Sequence, residues 1–80
     1  MSELSYDSEA IRHCVQDWGQ AHGIDVAERL IDALVDRFEV PQASVVEAHA
    51  EGDTLFVKLS APSWPHQQEL AVLPTGGVAW

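Results

Sequence analysis

Basic residues are scarce: four Lys and Arg stand against thirteen Asp and Glu, giving a formal charge of -9 and a pI near 4.5. A field of that sign repels phosphate backbones and anionic lipid headgroups, so direct binding to nucleic acid or to a membrane surface is not expected. The same field attracts a basic protein surface, and it also keeps a chain soluble with no partner at all. Cysteine is nearly absent, and the single Cys14 cannot form an internal disulfide. The segment from Met1 to Asp7 has neither the basic start nor the apolar run of a signal peptide. No stretch approaches the roughly 18 consecutive apolar residues of a membrane span, so a cytoplasmic location is expected. Leu73-Pro74-Thr75-Gly76-Gly77 lacks the residue between Pro and Thr of a cell-wall sorting signal, and no hydrophobic, basic-ended tail follows it. There is no Gly-rich phosphate loop, nucleophile elbow or paired-Cys element, and the chain reads as a non-enzyme without cofactor or metal.

What is present suffices for a core. At 46% hydrophobic over 80 residues the chain is expected to fold as one α+β domain spanning 1–80, with residues 1–6 frayed. A first helix is predicted over about 8–21: Asp7 or Ser8 caps it, Glu9 suits its first turn, and Ile11, Val15 and Trp18 recur at helical spacing. Gly19 weakens its end and Gly23 stops it. A second helix is predicted from Val26 to Glu39. Asp25 and Glu28 have capping-box spacing, Pro41 closes the segment, and Ala27, Leu30, Ile31, Leu34 and Phe38 share one face.

After Pro41 the period becomes alternating. Val46, Ala48 and Ala50 fall on one side and Glu47, His49 and Glu51 on the other, while Leu55, Val57 and Leu59 alternate after a turn at Glu51-Gly52-Asp53. A third strand is expected at Glu69 to Leu73, and Thr75-Gly76-Gly77 offers a turn into a short fourth ending at Trp80. The expected fold is two N-terminal helices on one face of an antiparallel meander of three or four strands. Their stripes bury Val46, Leu55, Val57, Leu59, Leu70 and Val72.

The main functional candidate is the outer face of the second helix, where Asp25, Glu28, Asp32, Asp36 and Glu39 fall within about 80° at 100° per residue. Neighbouring carboxylates there are about 4.5–6 Å apart along the axis, crudely the spacing of phosphates along a strand. An amphipathic helix needs some polar face in any case. Yet like charges four apart repel, and Asp36 and Glu39 sit where the helix dipole prefers Lys or Arg. Arg29 is the local cation placed to pair with Asp25 or Asp32. Trp64, in Pro62-Ser63-Trp64-Pro65-His66, is either a partner anchor or a cap on the core. Trp80 reads as core edge or dimer contact, and Phe56 with Val45 as an apolar outer sheet face suited to a partner or merely scattered.

His13 and Cys14 are adjacent and so point about 100° apart on a helix, which does not aim imidazole at thiol. His13 and Asp17 would need a third metal ligand from His22, His49 or His66 without any recognised spacing. In size, acidity and lack of motif the chain resembles small phage-encoded inhibitors, among them anti-CRISPR proteins and other nucleic-acid mimics, a similarity of bulk properties. The leading expectation is a cytoplasmic protein-binding module that blocks a basic, nucleic-acid-binding partner surface through the acidic face and Trp64, as a monomer or homodimer. The alternative is a homo-oligomeric accessory or regulatory domain whose acids serve solubility.

Overall fold

The computed structural model describes residues 3–38 and 42–79, with Glu3, Phe38 and Gln42 described by backbone alone. Along the chain lie β1 (Glu3–Tyr6), α1 (Glu9–His22), α2 (Val26–Phe38), β2 (Gln42–Glu51), β3 (Thr54–Ser60), β4 (Gln68–Val72) and β5 (Val78–Ala79). The strands form a single five-stranded sheet in the order β1-β2-β3-β4-β5. β1 runs parallel to β2 and the remaining pairs are antiparallel. This corrects the expected antiparallel meander of three or four strands: the sheet is mixed, and residues 3–6, expected to fray, are its parallel edge. Leu4 and Tyr6 pack against the core, while Ser5 on the other side places its Oγ 3.4 Å from that of Ser44. A four-residue strand shows too few alternations to read, and its partner lies beyond the whole two-helix segment.

The helix ends follow local chemistry. Ser8 Oγ accepts from Ile11 N–H at 3.3 Å, and Gly23 adopts φ 68°, the left-handed turn that lets Ile24 N–H donate back to the Gly19 carbonyl at 2.9 Å. Gly19, expected only to weaken the helix, is buried because the returning chain lies on it. A Cβ there would sit 2.6 Å from the Ile24 carbonyl oxygen. At the start of α2, Asp25 Oδ1 accepts from Glu28 N–H at 3.3 Å. Glu39, Pro41, Trp80 and the Phe38 side chain, all part of the sequence expectations, lie outside the described residues.

One core joins the layers. Val15 and Trp18 from α1 and Val26, Leu30 and Leu34 from α2 meet Ala43, Val45, Leu55, Val57, Leu59, Leu70 and Val72 from the sheet, all buried. Each such large side chain stabilises the fold by about 1.5–3 kcal/mol. β2 departs from simple alternation at a β-bulge: Val45 pairs with Leu59 and Glu47 with Lys58, so Val46 is the inserted residue. Val45 is therefore 0% exposed, and Val46 only half-buried, reversing the expected inward Val46 and outward Val45. Past the bulge Ala48 faces Val57 on the core side, and His49 faces Phe56 on the outer side. β4 ends one residue early, leaving Leu73 exposed at a turn through Gly76, whose φ is 96°.

Candidate functional site

Asp25, Glu28, Asp32 and Asp36 are exposed, as the amphipathic pattern of α2 requires once Leu30 and Leu34 are buried. They span about 16 Å of helix axis at 1.5 Å per residue. The ion pairs among the described residues are Arg12 with Glu9, His13 with Glu9 at 3.7 Å, His49 with Glu51 at 3.8 Å and Lys58 with Glu47 at 3.2 Å. None of them takes a carboxylate of the α2 row. Arg29, expected to pair with Asp25 or Asp32, instead lies over the β4–β5 turn, where a methyl placed on Gly76 would stand 3.6 Å from its Nη2.

A shallow depression of about 360 Å³ follows, lined by Arg29, Asp32, Ala33, Asp36, Gly76 and Val78. Sequence reasoning missed the contribution of this turn to the acidic face, because nothing local links Gly76 to α2. It also passed over Val35, which stands 44% exposed on the same helix. Trp64 is not among the residues lining the depression. It is half-buried and packed against the core, and its backbone N–H donates to the Ala61 carbonyl at 3.1 Å.

The remaining candidates are dispersed. Cys14 Sγ points to the Ala48 carbonyl at 3.8 Å, and His13 is exposed beside Glu9. His22 stacks on Trp18 at 4.2 Å between ring centroids, with Nδ1 2.9 Å from the Trp18 carbonyl oxygen. His49 stacks on Phe56 at 5.3 Å. Among the described residues no group of three or more His, Cys, Asp and Glu is placed to hold a metal ion, and no helix is long and apolar enough to cross a membrane.

Among the described residues, Glu9 and Tyr6 titrate away from their ordinary values. The Arg12 hydrogen bond, aided by its charge, holds Glu9 below the usual carboxylate range. Burial, and next the Asp25 carboxylate, push the Tyr6 phenol up, with Arg12 opposing. Compared with protein-family models, curated proteins and solved structures, the chain matches none.

Proposed function

We propose that this is a small, non-enzymatic, cytoplasmic protein-binding module that lays the outer face of α2 against a basic surface of another protein and blocks it. In this reading it acts as a nucleic-acid mimic of the phage-encoded inhibitor type. One observation carries the reading: Asp25, Glu28, Asp32 and Asp36 are exposed in a row, and no ion pair among the described residues neutralises any of them. Asp25 and Glu28 suit the start of the helix that Asp25 caps, but the repulsion between residues four apart and the position of Asp36 toward the negative end of the helix dipole work against stability, so stability does not account for Asp32 and Asp36. A partner surface of opposite sign does. Trp64 is half-buried against the core, and in this reading its exposed part serves as the aromatic anchor of the contact.

The test is capture of a partner from cell lysate at low and high salt, by the wild-type chain and by the double variant Asp32→Lys, Asp36→Lys. Both positions are exposed, so folding stability should stay within about 0.5 kcal/mol of wild type. A protein with a basic surface should be retained at low salt, released at high salt, and bound by the variant with an association rate lower by about tenfold or more. Retention that ignores both salt and charge reversal removes the proposal.

A second reading has its own observation. Among the described residues no helix covers the sheet face opposite α1 and α2, which carries the Phe56–His49 stack with the half-buried Ala71 beside it. That face suits a symmetric contact in a homo-oligomeric accessory domain whose acids keep it soluble. Sedimentation separates the readings, since a strict monomer at high concentration counts against the oligomer.

A further inference from the structure

A second concavity lies away from the depression at Gly76, between the end of β1, the later turns of α1 and the start of α2. It measures about 560 Å³, within the roughly 300–1,000 Å³ of small-molecule sites. Its origin is local. Gly19 and Gly23 bring no side chains to this corner, and Ile24 crosses it on the way from one helix to the next. Val15, Ile24 and Ala27 give it apolar walls, and four polar side chains converge on it: Tyr6, Gln16, Gln20 and Asp25. Asp25 is the one charged residue in that lining.

The sign of the site follows from the cap. The N-terminus of α2 opens at this corner and would favour an anion, but Asp25 already occupies that end, with Oδ1 accepting from Glu28 N–H at 3.3 Å. Arg12 acts on Tyr6 from nearby, yet its guanidinium is held by Glu9 and does not line the cleft. The remaining charge is negative, the exposed Asp25 carboxylate set beside apolar walls.

We propose that this cleft binds a small organic cation with an apolar body, an amidine or amine carried on an aryl or alkyl group. The Asp25 carboxylate takes the cationic head, the Gln16 and Gln20 amide oxygens and the Tyr6 oxygen accept its further N–H groups, and Val15, Ile24 and Ala27 take the body. The elevated Tyr6 phenol, raised by burial and by the Asp25 charge, is what a desolvated, electronegative corner produces. The site meets the partner face at Asp25 and otherwise stands apart from it, because Glu28, Asp32 and Asp36 do not line it.

Three ligands of one shape and different charge test it: benzamidine, benzamide and benzoate, titrated into the full chain while amide chemical shifts are followed. Benzamidine should move the amides of Gly19, Gly23, Ile24 and Ala27 and saturate in the millimolar range. Benzamide should bind about tenfold more weakly, the worth of one charge-assisted hydrogen bond, and benzoate should not bind. Asn caps a helix as well as Asp does, so Asp25→Asn should keep the fold and bring benzamidine down to the level of benzamide. Equal binding of benzamidine and benzamide overturns the proposal. So does absence of saturation, or a response centred on Asp32 and Asp36. The first comparison needs no variant, and none of these outcomes depends on whether a protein partner exists.

Discussion

Tyr6 is the only tyrosine of the chain, which makes its phenol a private reporter of the corner between β1 and α2. Its folded-state value is raised above the ordinary 10.0 by burial first and Asp25 second. The native chain therefore keeps this proton where the unfolded chain has begun to lose it. The stability so contributed is fully present below pH 10.0 and is lost as pH rises through the higher folded-state value. Phenolate absorbance during an alkaline titration should show a midpoint above the ordinary one, moving down in Asp25→Asn and disappearing in Tyr6→Phe. A midpoint at or below the ordinary value would place Tyr6 in open water. Gly19 teaches a related lesson at the same scale: read in isolation it is a flaw in a helix, but its missing Cβ is the space that the Ile24 carbonyl fills.

At the scale of elements, the readable parts were those whose signals sit next to one another in the chain. Ser8, Gly23 and Asp25 mark helix ends through side-chain or backbone groups three or four residues away, so both helices could be placed. The acidic row on α2 was readable for the same reason, since a fixed turn per residue converts spacing into a shared face. Elements set by distant partners were not. β1 pairs with a strand on the far side of two helices, and the position of Arg29 depends on a turn that nothing in α2 announces. The bulge in β2 is intermediate: Val45-Val46 offers two equivalent apolar residues, and only the register against Leu59 and Lys58 chooses between them. Val45→Ala should therefore cost about 2 kcal/mol in denaturant unfolding, and Val46→Ala less than about 1 kcal/mol. The reverse order would mean that the inserted residue has been misassigned.

For the whole molecule, a charge of -9 is confined to a body of 32 × 24 × 22 Å. At ionic strengths near 0.01 M the screening length is about 30 Å, so nearly every carboxylate feels every other, whereas at about 0.15 M it shortens to roughly 8 Å. Added sodium chloride should therefore raise the thermal midpoint over that range, because the folded state suffers more from self-repulsion than the expanded chain. A flat or falling midpoint would mean that local pairs such as Lys58 with Glu47 outweigh the net charge. The architecture adds one consequence. α2 touches both β1 and β5, the two edge strands of the sheet among the described residues. It thus acts as a clasp across the fabric of the sheet, fastening both hems at once. Whatever grips that helix from outside also tightens the hems, and whatever loosens it lets both unravel together.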